Sequence, residues 1–278
     1  MPVVLSLVCA VVWGTADFCG GTASRRSSPA AVLLWSNVIA LPPLVVVAVA
    51  TGDLTFETRS VGWGAVAAVA ACVGILALYR GLATGVMGVV APIASTSVIV
   101  PVVFGLATGS TVSLPCAIGI AVAIVGVVLA GGPHLRDFRS GGHRPLVLAI
   151  VAALGIGVSL VAVAEGSRGS AATTLVVMRL GYLVVLVPSV LRRRRPRLPD
   201  PRDRTLVALA GLGDVLAVGL YAIATRSGPL PIVAAISSMF PVTTLLLARR
   251  IHHERLDREQ TIGVVIALVG VVLVVATQ

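Results

Sequence analysis

Ten apolar runs of about twenty residues, separated by short polar breaks, organise the whole 278-residue chain. A helix needs ~20 consecutive apolar residues to cross the hydrocarbon core of a bilayer. The runs lie at roughly 3–20, 31–51, 61–79, 86–108, 113–131, 145–164, 171–191, 205–225, 229–248 and 260–277. None shows the apolar–polar alternation of a barrel strand, and only helices and closed barrels satisfy their backbone groups in lipid. The sequence therefore predicts an all-α, polytopic membrane protein with ten transmembrane helices. Composition points the same way: 57% of residues are hydrophobic and 12% charged, with a mean hydropathy of +1.04. A soluble domain carries about 25% charged residues, so this chain lacks the polar side chains to cover a water-exposed globule. The two longest polar breaks, 132–144 and 192–204, are too short for an extramembrane domain. The opening MPVVLSLVCAVVWG has no basic leader and no clear small-residue cleavage site, so it reads as a first span rather than a removable signal.

All 21 basic residues are arginine. Without lysine no Schiff base can form, which excludes retinal and pyridoxal chemistry. A net charge of +10 suggests nucleic acid in a soluble protein, but in a membrane protein it reads as arginine in cytoplasmic loops. The run Arg192 to Arg195 suits anionic lipid head groups better than nucleic acid. Cys9, Cys19, Cys72 and Cys116 lie in or beside apolar runs without a CxxC pair, and read as small core residues. The four histidines, His134, His143, His252 and His253, fall in polar loops, so no metal or haem site and no cofactor is expected.

The two halves of the chain match. Gly119 to Ala130 (GIAVAIVGVVLA) and Gly263 to Val274 (GVVIALVGVVLV) share seven of twelve positions. Ala94 to Ser97 and Pro101-Val102 align with Ala234 to Ser237 and Pro241-Val242. Tyr79 aligns with Tyr221, and Ser28 with Ser170. The offset drifts only between 140 and 144 residues, and the order of matches is the same in both halves. Each half holds five spans, so the second half enters the membrane from the opposite side. The expected architecture is two inverted five-helix repeats, over residues 1–135 and 140–278, with a substrate site near the midplane between them.

The stretch PVTTLLLARRIHHERLDREQTIGVVIALVGVVLV, with Pro241, Glu254-Arg255-Leu256, Gly263 and Gly270, resembles the EamA repeat of the drug/metabolite transporter superfamily. Trp13-Gly14-Thr15-Ala16-Asp17-Phe18 with Gly20-Gly21 is similar to the tryptophan–glycine opening of the first such repeat. The first repeat departs from the pattern, with Gly109-Ser110-Thr111 where the second has His253-Glu254-Arg255. The resemblance covers nearly the whole chain. It implies a ten-helix carrier of metabolites or drugs, commonly an exporter, working without ATP; no GxxxxGK[ST] motif occurs.

Ionisable groups inside a bilayer cost about 2.5–3.5 kcal/mol each at a helix centre. Asp17, Arg179 and Asp214 stand inside expected spans, and Glu165 at the end of one. Asp17, near the end of its span, either reaches interfacial water or serves a site. Arg179 and Asp214 lie mid-span at similar depth, and form either a structural ion pair or a substrate or proton site. Asn37 aligns with Arg179 in the first repeat. Trp13, Tyr79 and Tyr221 are candidate cavity residues, with Trp35 and Tyr182 behind them; the alternative for aromatics is interface anchoring or lipid contact, which is favoured for Trp63 at a span start. Ser95, Thr96, Ser97, Ser237 and Ser238 either donate to a substrate or bond back to their own helices. Pro101 and Pro241 are expected to bend spans four and nine.

The resulting expectation is a secondary transporter in the plasma membrane, not an enzyme, moving a small-molecule substrate by alternating access. Protons are candidate coupling ions. The alternatives are a flippase for a lipid-linked intermediate, a membrane-embedded lipid enzyme and a non-transporting membrane protein. Loops after odd-numbered spans hold 17 arginines and those after even-numbered spans hold Arg59, Arg168 and Arg226. The positive-inside rule then places both termini outside, whereas the family resemblance implies cytoplasmic termini; the charge count is followed.

Overall fold

The structure, a computed structural model, describes residues 1–24, 26–84, 94–130, 143–191, 200–251 and 258–277, with residues 29, 79–84, 143–146, 188–191 and 245 described by backbone alone. Among the described residues every regular element is helical. The first half holds α1 (Pro2–Ser24), α2 (Pro29–Ala50), α3 (Thr58–Thr84), a 3-10 turn (Thr96–Val98) leading into α4 (Ile99–Ala107), and α5 (Leu114–Ala130). The second holds α6 (His143–Ser167), α7 (Ala171–Leu191), α8 (Arg204–Ser227), α9 (Leu230–Ser237), α10 (Phe240–Ile251) and α11 (Arg258–Ala276).

Seven stretches are long and apolar enough to cross a membrane: α1, α2, α3, α6, α8, the α9–α10 pair and α11. Shorter apolar helices lie at Thr96–Ala107, Leu114–Ala130 and Ala171–Val187, where the other three spans are expected. Span nine, expected as one helix, is two. The chain turns through Ser238 and Met239 between α9 and α10. Pro241 is the second residue of α10 and has no N–H to give the Ser237 carbonyl, so the α-helical ladder cannot run through. In the first repeat the 3-10 turn precedes α4, and Pro101 is the third residue of that helix. Residues 85–93, the expected start of span four, and the Glu254-Arg255-Leu256 turn lie outside the described residues.

Local signals at equivalent positions do equivalent work. Ser28 caps α2, its Oγ accepting from Ala31 N at 3.2 Å. Ser170 caps α7 in the same way, accepting from Thr173 N at 2.9 Å. Each hydroxyl satisfies one of the orphan donors of a helix start.

Three long helix pairs hold the bundle: α3 along α6, α1 along α8, and α5 along α11. An offset of about 142 turns the first pair into the second, and about 144 turns the third into itself with partners exchanged. This is the contact pattern of a pseudo-two-fold axis. Glycine makes the self-paired seam close: a β-carbon at Gly126 would lie 2.1 Å from the Ala267 nitrogen, and one at Gly270 would lie 2.3 Å from the Ala123 nitrogen. Small residues at a seam allow this approach, and lipid supplies no hydrophobic drive to replace it. Interior positions are correspondingly small, with Ala67, Ala162, Ala217 and Ala222 fully buried. Large apolar side chains such as Val46, Val184 and Val272 are exposed, as befits a surface solvated by hydrocarbon.

Candidate functional site

Side chains from both repeats line a central cavity of about 250 Å³. Its charged layer is built at the contact of α2, α7 and α8. Arg179, only 3% exposed, donates from Nη1 to Asn37 Oδ1 at 2.8 Å and from Nη2 to Asp214 Oδ2. Asn37 and Arg179 are repeat equivalents, 142 residues apart, so the bond between them straddles the pseudo-axis. Asp214 keeps a third of its side-chain surface accessible and lines the cavity. An opposite charge at contact distance offsets much of the cost of burying either ion. The Arg179 guanidinium also lies 5.6 Å from the centre of the Tyr182 ring, within cation–π range.

Asp17 enters the same layer from α1. That helix runs on to Ser24, so Asp17 stands about 10 Å short of its end. Its neighbour Ala16 packs against Gly213, beside Asp214, which sets the two carboxylates level across the α1–α8 seam. Asp17 is exposed and lines the cavity. It has no hydrogen-bond or ion-pair partner among the described residues. By the repeat offset its counterpart is Ser159, which also lines the cavity and donates to Ile156 O at 2.7 Å. Asp214 corresponds to Cys72, so the charged layer belongs to one half of the pseudo-symmetric pair of sites.

One turn before Asp17, Trp13 faces the cavity with Phe240, their ring centres 5.4 Å apart. Gly14 makes that meeting possible: a β-carbon there would lie 2.4 Å from Phe240 O and 2.5 Å from Thr243 Cβ. Thr244 Oγ1 fixes the contact by donating to Gly14 O at 2.9 Å. The tryptophan–glycine pair thus seats α1 on the interruption between α9 and α10.

Among the described residues, Tyr221 OH and Ser237 Oγ, two buried hydroxyls in the cavity wall, have no hydrogen-bond partner, and neither has Arg179 Nε. Ser238 bonds back to Ala235 O at 2.7 Å, the alternative expected for helix serines. Phe240 and Ser159 were not singled out by sequence. The signal for Phe240 was its place just before Pro241. The Tyr79 side chain lies outside the described set. Pro101 is buried beside the cavity without lining it. Glu165 is remote from the charged layer, paired with Arg59 at 2.6 Å and Arg168 at 3.2 Å. Among the described residues no group of three histidine, cysteine or acidic side chains could hold a metal ion.

A family profile described as "EamA-like transporter family" matches residues 1–132 and again residues 143–276. No curated protein matches the sequence. A solved structure described only as "Crystal structure of protein" is similar over 98% of this chain and 95% of its own, with a TM-score of 0.81 at 15% identity. That likeness is one of fold.

Proposed function

The chain belongs to the EamA-like transporter family of the drug/metabolite transporter superfamily, and from that premise we propose that it is a ten-helix secondary transporter of a small organic metabolite or xenobiotic, acting as an exporter in the plasma membrane. The observation that carries this reading is the Asn37–Arg179 bond between repeat equivalents at the edge of a cavity lined by both halves. A site on the pseudo-axis of an inverted repeat is one that either half can expose as the two exchange conformations. Alternating access then needs the repeats at 1–135 and 140–278 to rock about that layer, with the interruptions ahead of Pro101 and Pro241 as the compliant points.

Coupling to protons uses Asp17 or Asp214, each accessible to the cavity, as a carboxylate that binds H⁺ and substrate in turn. The test is an efflux screen in reconstituted vesicles, across amino acids, nucleosides and organic cations, with and without a pH gradient. Transport is expected to respond to the gradient and to lose that response in Asp214→Asn, Asp17→Asn or the double variant. Flux no faster than through protein-free vesicles for every class would contradict the reading.

A further inference from the structure

We propose that the cavity takes a small organic cation, with its charged nitrogen at Asp17 and its apolar body against Trp13 and Phe240; this rests on the transporter reading of the same cavity. The charges decide the sign. Among the described residues, two carboxylates and one guanidinium line the cavity. The guanidinium is occupied on both terminal nitrogens, by Asn37 and Asp214, and is nearly inaccessible. An anionic substrate would have to break that arrangement to reach it. Asp17 is exposed to the cavity and has no partner among the described residues. A cation satisfies it without disturbing anything.

The walls add the second requirement. Trp13 stands one turn from Asp17 on the same face of α1, and its indole meets the Phe240 ring at an interplanar angle of 35°. A cation held at Asp17 with an apolar body on these rings gains both cation–π and dispersion contacts. On α8, Tyr221 lies two turns from Asp214, about 10 Å along the axis, and with Ser237 it closes that end of the cavity, both fully or almost fully buried. The volume of about 250 Å³ falls just below the ~300–1,000 Å³ of most ligand pockets, so the substrate is small.

Tyramine, phenethylamine, 2-phenylethanol and 3-phenylpropionate share one ring and differ in charge and in the distal hydroxyl. Binding of each to the full chain in lipid nanodiscs, by calorimetry, is expected to favour both amines over the alcohol and the acid by about tenfold or more. Asp17→Asn should lose that preference, and Asp17→Glu should keep it, which separates charge from misfolding. Tighter binding of 3-phenylpropionate than of the amines, or amine affinity unchanged in Asp17→Asn, overturns the proposal. Binding of amines without flux in proteoliposomes contradicts the transporter reading alone. Flux of the acid without the amines contradicts the charge assignment alone.

Discussion

Arg179 ties three helices at one point, and its removal has a defined cost. Breaking a buried ion pair leaves the surviving charge uncompensated, typically at about 3–5 kcal/mol. Arg179→Ala should therefore lower the melting temperature strongly, and adding Asp214→Ala should restore part of it. Asn37→Ala removes two hydrogen bonds, the one accepted from Arg179 and the one donated to Leu33 O, and should cost roughly 1–3 kcal/mol. Melting curves of the three variants in detergent check the order; a double variant no more stable than Arg179→Ala would contradict the pairing. Arg179 and Asp214 were readable in the sequence because a charge in an apolar run has few reasons to be there. Asn37 became readable only through the repeat offset. Tyr221 and Ser237 were candidates from the sequence, but that their hydroxyls find no partner among the described residues was not readable there. A serine in a helix usually bonds its own backbone, as Ser238 does, and nothing local distinguishes Ser237 from it.

Among elements, the α5–α11 seam and the α9–α10 interruption carry distinct predictions. Gly126→Ala places a methyl against the Ala267 backbone, and overpacking of this kind costs about 1–3 kcal/mol. Gly62→Ala in α3 meets nothing within 4 Å, so it should be neutral or stabilise by up to ~1 kcal/mol through helix propensity. Unfolding of the two variants compared with the parent tests the seam; equal stability would mean that the helices can separate freely. Pro101→Ala with Pro241→Ala should leave insertion intact and slow transport. Unchanged kinetics would remove the interruptions from any gating role. The existence and order of the helices followed from apolar run length. The division of span nine did not, since 229–248 carries no charge and reads as one span, and a proline within a span is compatible with a kinked but unbroken helix. Only the packing of Phe240 on Gly14 shows where the turn falls.

At the scale of the whole molecule, two questions follow from symmetry and charge. The arginine bias predicts both termini outside, so alkaline phosphatase fused after Gln278 should be active in cells; an inactive fusion reverses the orientation. The repeat relation, legible as ordered matches at an offset near 142, reappears as helix pairs that exchange partners. The cavity between them depends on contacts far apart in sequence, which no single motif announces. If the cavity is a transport site, the molecule must carry substrate across a sealed membrane whatever its coupling ion. Solute counterflow asks for that alone. Vesicles containing the protein and preloaded with unlabelled tyramine should transiently accumulate external labelled tyramine above protein-free vesicles. Asp17→Asn should abolish the excess. Accumulation no greater than in protein-free vesicles, for tyramine and for preloaded neutral and anionic analogues alike, would contradict the account.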